Sequence, residues 1–117
     1  RARAAAFYDT QLSGLSGITV PERSSFSSHI FHQYTLKIAG GERNALRECL
    51  ENEGIPAMIY YPVPAHMQKA YLHLGYRPDD FPVSAKLSGE VLSLPMHTEL
   101  DDEQLAYITN CIRSKFI

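Results

Sequence analysis

Residues 57–68, Ala-Met-Ile-Tyr-Tyr-Pro-Val-Pro-Ala-His-Met-Gln, limit what the chain can fold into more than any other stretch. The first half follows Gly54 and is apolar, aromatic and β-branched, the pattern of a strand over 57–61. The second half cannot extend that strand. Pro62 and Pro64 lack a backbone N–H, and each holds the residue before it extended. A stiff elbow therefore hands the chain from a strand to a short helix. It carries the hydroxyls of Tyr60 and Tyr61, the His66 imidazole and the Gln68 carboxamide. So rigid and polar a connection marks the edge of a site.

Ala4, Phe7, Tyr8, Leu12 and Leu15 recur at helical spacing and predict a helix over 2–13, ended by Gly14 and Gly17. Residues 18–21 read as a short strand stopped by Pro21, and 22–28, with four serines, as an exposed loop. The longest strand candidate covers 29–39. Alternation puts Ile30, His32, Tyr34, Leu36 and Ile38 on its core face, and His29, Phe31, Gln33, Thr35 and Lys37 on a half-polar one. Gly40-Gly41 turns into a helix over 42–53 with a stripe of Leu46, Cys49 and Leu50. Beyond the elbow, 66–74 read as a helix with Met67, Ala70, Tyr71 and Leu74 inward, and 77–80 as a turn. Asp80 and Pro82 then start a helix to about Glu90. Val91 to Leu94 form a third strand halted by Pro95. Asp101 and Gln104 have capping-box spacing ahead of a last helix carrying Leu105, Ile108, Ile112 and Phe116.

This α-β-β-α-β-α-α-β-α order predicts an α+β domain. The expected architecture is a two-layer sandwich, a small mixed or antiparallel sheet of about three or four strands with helices on one side. The 117 residues suit one domain. A formal net charge of −2 makes no electrostatic case for nucleic acid or an anionic membrane. No apolar run approaches the ~20 residues of a membrane span, and no signal peptide is recognised. Cys49 and Cys111 fall among apolar helix positions and read as buried reduced thiols, which suits a cytoplasmic protein. The chain opens Arg-Ala-Arg-Ala-Ala-Ala, helical from the start and uncapped, and so reads as part of something longer.

Five histidines invite a metal, but no pair-plus-carboxylate spacing is present, and no metal site is expected. No cysteine sits beside a histidine, no Gly-x-Ser-x-Gly elbow occurs, and Gly40-Gly41 alone makes no phosphate loop. Asp79, Asp80, Asp101 and Asp102 stand at helix starts, where the helix dipole accounts for them. What remains is a binding surface: His29, Phe31 and Gln33 on one strand, with Tyr61, His66 and Gln68 at the elbow. Against it, His66 can equally brace the elbow, Tyr60 and Tyr71 can be core residues with the hydroxyl at the rim, and His32 and Tyr34 satisfied buried polars. His73 reads as solvent-facing and His97 as a loop residue.

The run from Gly54-Ile55 through Ile59-Tyr60-Tyr61-Pro62-Val63-Pro64-Ala65-His66-Met67-Gln68 to Tyr71 resembles the C-terminal region of DegT/DnrJ-type sugar aminotransferases. His29-Ile30-Phe31-His32-Gln33-Tyr34, Arg43, Phe81-Pro82-Val83 and Leu92-Ser93-Leu94-Pro95-Met96 match further motifs of that family in register. Ala85 stands where the family usually has a glutamate. The resemblance implies the small domain of the aspartate aminotransferase fold, with residues 1–15 the end of an interdomain helix. It implies pyridoxal phosphate bound by a large N-terminal domain, a keto nucleotide sugar as substrate, an amino donor such as glutamate, and a homodimer. His29, Phe31, Gln33, Tyr61 and His66 would then contact substrate, while Lys37, Lys69, Lys86 and Lys115 match no Schiff-base lysine motif. A fragment of this kind would carry no cofactor and be inactive alone. A stand-alone small-molecule-binding or regulatory module, or a plain docking domain, are the competing readings.

Overall fold

A computed structural model describes residues 1–117. The chain runs α1 (Ala2–Leu12), β1 (Ile18–Thr19), β2 (Tyr34–Ile38) and α2 (Arg43–Asn52), then α3 (Pro82–Glu90), β3 (Val91–Leu94) and α4 (Asp102–Phe116). Between α2 and α3 lie three tight 3₁₀ turns, Ala65–Met67, Lys69–Leu74 and Pro78–Asp80. The sheet is antiparallel throughout, in the order β1-β2-β3, with Ile18 opposite Ile38 and Leu36 opposite Leu92.

Period-two burial along β2 drives Tyr34, Leu36 and Ile38 into a core shared with Tyr8 and Leu12 of α1, Leu46 and Leu50 of α2, and Leu105, Ile108 and Ile112 of α4. The α+β layering follows from this one-sided apolar face. On the other face Thr35 and Ser93, opposite one another in register, share a hydroxyl hydrogen bond of 2.8 Å. The last helix starts as its sequence spacing predicts. The Asp101 carboxylate accepts from Gln104 N–H at 2.8 Å and the Gln104 side chain accepts from Asp101 N–H at 3.1 Å. Asp101→Ala should cost about 1 kcal/mol, read as a fall of a few degrees in Tm.

Four expectations are corrected. The strand expected over 29–39 is confined to Tyr34–Ile38. Its partner β3 ends at Leu94, opposite Tyr34, and Pro95 brings no N–H to carry the ladder on. Residues before Tyr34 are instead held by side chains. His29 Nδ1 accepts from Phe31 N–H at 2.9 Å, and the Arg1 guanidinium donates to the carbonyls of Phe31 (3.1 Å) and His32 (2.9 Å). Phe31 takes φ +49°, which breaks the alternation: Phe31 is buried, whereas Ile30 is 78% exposed and His32 is exposed.

The strand expected over 57–61 shrinks to one bridge, in which Met58 and Ser93 exchange backbone hydrogen bonds of 3.0 and 2.8 Å at the free edge of β3. Pro56 on one side and Pro62 and Pro64 on the other strip away the donors a longer ladder would need. The helix expected over 66–74 is two 3₁₀ turns separated by extended Gln68 (φ −70°, ψ 145°). Of its supposed inward residues only Met67 is half-buried; Ala70, Tyr71 and Leu74 are exposed, because no element of the chain packs over them. Asp80 does not cap the helix that follows. Its carboxylate accepts from Arg77 N–H at 2.7 Å, and α3 begins with Pro82 at its first position and no side-chain cap. That bare start is where Ala85 replaces the expected glutamate.

Candidate functional site

Three adjoining clefts cross the chain from the 29–35 segment to the elbow. The first, of about 330 Å³, is lined by Pro21, His29, Ile30, His32, Gln33 and Thr35. The second, of about 310 Å³, shares His32 and Gln33 and adds Met58, Tyr60, Ser93 and His97 among others. The third, of about 370 Å³, shares Tyr60 and adds Tyr61, Val63, Pro64, Gln68 and residues of α3. Their walls supply imidazoles, a carboxamide and phenol hydroxyls on apolar ground, a donor and acceptor set able to orient a polyhydroxylated ligand.

Of the residues singled out from sequence, His29, Gln33, Tyr61 and Gln68 lie on this band. Phe31 and His66 do not line it. The Phe31 ring is buried, stacked on His29 at 4.1 Å and covered by the Arg23 guanidinium 4.1 Å from its centroid. Arg23 also pairs with Asp9 of α1, which accepts from the Tyr34 hydroxyl at 2.6 Å. Phe31 thus fixes the backbone from which His29 and Gln33 project. His66 is buried as well; its Nε2 meets the Pro78 carbonyl at 3.1 Å and its ring lies 4.9 Å from that of Phe81. The imidazole ties the elbow to the 78–80 turn.

Sequence reading passed over His32, Tyr60 and His97, all on the band. For Tyr60 a signal existed: Met58 and Tyr60 share one parity and are exposed, while Ala57 is buried and Ile59 half-buried. His97 follows the Pro95 stop with no periodicity to place it. His32 faces out because Phe31 shifts the alternation by one. No three His, Cys, Asp or Glu side chains gather to hold a metal.

The sequence profile of the DegT/DnrJ/EryC1/StrS aminotransferase family matches residues 1–113. The chain belongs to this family. Among curated relatives, it is 42% identical over 113 residues to the UDP-N-acetyl-3-dehydro-alpha-D-glucosamine 3-aminotransferase of Acidithiobacillus ferrooxidans, covering 97% of this chain and 29% of that protein. Among solved structures, S. venezuelae DesV in complex with a ketimine intermediate superposes with TM-score 0.92 at 29% identity, covering 97% of this chain and 30% of that one. A DegT/DnrJ/EryC1/StrS aminotransferase from Brucella abortus superposes with TM-score 0.86 at 35% identity, covering 98% and 30%. The chain thus has the aminotransferase-type α+β fold and spans about 30% of the length of the relatives it matches.

The DegT/DnrJ/EryC1/StrS family implies pyridoxal phosphate as the cofactor of its full-length enzymes. The residues of this chain do not by themselves fit that group. Lys37, Lys69, Lys86 and Lys115 are all exposed, none lines one of the three clefts, and Lys115 is spent on Glu42 at 3.7 Å. An imine-forming lysine works from a desolvated pocket, and none of the four occupies one. No helix of the chain is long and apolar enough to cross a membrane.

Proposed function

We propose that the chain is the C-terminal small domain of a longer pyridoxal-phosphate-dependent aminotransferase acting on a keto nucleotide sugar, and that the three-cleft band is one wall of its substrate site. The observation that carries the reading is the family match along residues 1–113 of a chain about 30% as long as its relatives, none of whose lysines sits in a cleft. The cofactor and its lysine belong to the rest of the protein, glutamate is the amino donor, and the working form is a cytoplasmic homodimer. The fragment alone is inactive.

Within that wall, His29, Gln33 and Tyr61 hold sugar or phosphate oxygens, while Phe31 and His66 brace the two segments that carry them. The wall orients and shields the ligand; the chemistry is done opposite it. The exposed apolar surface supports a missing neighbour. Tyr71, Leu72, Leu74, Phe81 and Val83 are each between 45% and 71% exposed, and every residue from 68 to 80 is exposed. This surface packs on the large domain.

Extending the gene upstream and assaying the longer protein with pyridoxal phosphate and a UDP-linked 3-dehydro sugar tests the proposal. The expected result is one borohydride-reducible cofactor per chain on a lysine outside residues 1–117, and amino transfer to the sugar. A specific adduct on one of the four lysines of the isolated chain would overturn it. Tight nucleotide binding by the isolated chain would favour the stand-alone module. In the longer protein, Gln33→Ala should raise KM for the nucleotide sugar about tenfold, the weight of one polar contact of about 1.4 kcal/mol, with cofactor loading unchanged, and His66→Ala should raise it by loosening the elbow that carries Tyr61. Loss of cofactor at unchanged sugar affinity would sink the assignment.

A further inference from the structure

The seam between α2 and α4 lies away from the clefts and holds chemistry that substrate binding does not use. The two helices run antiparallel, and three contacts tie them in succession. Lys115 Nζ meets Glu42 at 3.7 Å, Cys49 Sγ lies 4.0 Å from Cys111 Sγ, and the Tyr107 hydroxyl donates to the Glu53 carbonyl (3.1 Å) and carboxylate (2.9 Å). The thiol pair sits between two polar ties that already hold the helices in register. Both cysteines are free and half-buried, close enough to the surface for a small reagent to reach. Neither lines any of the three clefts.

We propose that Cys49 and Cys111 form a dithiol modification site, which a low-molecular-weight disulfide such as oxidised glutathione converts to an intramolecular bond clipping α2 to α4. The sulfurs need to close by about 2 Å to reach a bond length of about 2.0 Å, a shift that side-chain rotation at two facing helix positions supplies. In the first step the Cys49 thiolate attacks one sulfur of the small disulfide and expels one small thiolate. In the second, Cys111 loses its proton and attacks the Cys49 sulfur, forming the Cys49–Cys111 bond and expelling the other small thiolate. Two electrons and two protons leave the protein, and the small disulfide is reduced to two thiols. Burial, reinforced by the neighbouring Cys49 sulfur, pushes the Cys111 thiol up to about 11, which makes Cys111 the resolving partner and makes closure faster at alkaline pH. The bond would bridge positions far apart in sequence, so it constrains the unfolded chain strongly.

The test treats the protein with excess oxidised glutathione and reads intact mass, disulfide-linked peptides and thermal unfolding. The expected product is lighter by two hydrogens, yields a peptide pair joining Cys49 to Cys111, and melts about 10 °C higher, reversibly on reduction. Cys111→Ser should stop at a mixed disulfide on Cys49, heavier by one glutathione, and Cys49→Ser, left with the resolving thiol alone, should react far more slowly, neither with a rise in Tm. Wild-type protein that keeps glutathione on either cysteine, links to a second molecule or stays unreacted overturns the proposal.

Discussion

Arg43→Ala is expected to cost about 3 kcal/mol of stability and lower Tm by about 10 °C. Arg43 opens α2 and is buried without a carboxylate partner, an unusual place for a guanidinium. Its Nη1 donates to the Ser88 carbonyl at 2.8 Å and the Val91 carbonyl at 3.0 Å, and its Nε to Asn44 Oδ1 at 2.8 Å. Ser88 and Val91 flank the C-terminus of α3, where helix carbonyls lose their intrahelical donors and the dipole favours a cation. One side chain therefore closes α3 and holds the start of β3 against α2. Burial, with some repulsion from Arg47, lowers the Arg43 pKa, so the charge is held at a desolvation cost that the carbonyl contacts offset only in part. Arg43→Lys should recover less than half of the loss, since an ammonium gives up the Nε bond to Asn44 and the rigid plane that aims Nη1 at the two carbonyls. Arg47→Ala, at an exposed neighbour, should change stability by no more than about 0.5 kcal/mol. Urea midpoints of these variants and of Arg43→Met decide the matter. Equal losses for Arg43→Ala and Arg43→Met, with none for Lys, would assign the effect to charge alone.

That Arg43 would matter this way was only half readable from the chain. Periodicity exposed the helices with one strong apolar face, α1, α2 and α4, because Leu12, Leu46, Leu50, Leu105 and Ile112 pack as their spacing demands. The same logic failed where backbone donors, not apolar residues, decide the outcome. Residues 57–61 have a strand's composition, but a strand needs a partner edge with matching N–H groups, and proline removes them on both sides of Met58. Residues 66–74 have a helix's spacing, yet nothing in this chain covers the face that spacing defines, and the backbone settles into 3₁₀ turns.

The candidate site divides along the same line. Gln33 and Tyr61 are legible because polar groups beside prolines and strand ends have few structural duties. His29 reaches the cleft only through a local turn, in which its Nδ1 accepts from Phe31 N–H. Phe31 and His66 look alike in sequence to residues that touch a ligand, and three-dimensional packing places both off the clefts: one lies under Arg23, the other between Pro78 and Phe81. Alternation cannot reveal a residue with positive φ, and that single residue leaves Ile30 and His32 outside and puts Phe31 in the core.

The second large effect lies at alkaline pH. The rings of Tyr8 and Tyr34 lie 4.9 Å apart, tilted by 42° and both buried, with the Tyr8 hydroxyl donating to the Pro95 carbonyl at 2.7 Å and the Tyr34 hydroxyl to Asp9. Burial holds the Tyr8 phenol far above its ordinary value of 10.0. Burial first, and then the hydrogen bond to Asp9 and that carboxylate's charge, do the same for Tyr34 against a smaller opposing pull from Arg23. The folded pKa values are raised, so the stability they confer is fully present below pH ~10 and is lost as pH rises above it, because the unfolded chain releases protons that the folded chain keeps. Each phenol contributes a slope of about 1.4 kcal/mol per pH unit, and the pair should remove about 5 kcal/mol between pH 10 and 12. A loss of that size is comparable with the whole stability of an ordinary domain, about 5–15 kcal/mol. Cys111, raised from 9.0 to about 11, acts in the same direction from pH 9 upward. Urea midpoints should therefore hold steady to about pH 9 and collapse by pH 12. Tyr34→Phe separates the contributions: near neutral pH it should cost only about 1 kcal/mol, since Asp9 keeps Arg23, while the alkaline slope due to the pair falls by half. An unchanged slope in Tyr34→Phe, or absorbance showing all seven tyrosines ionising near pH 10 in protein that stays folded, would mean that the Tyr8–Tyr34 pair is not what keeps these protons in the core.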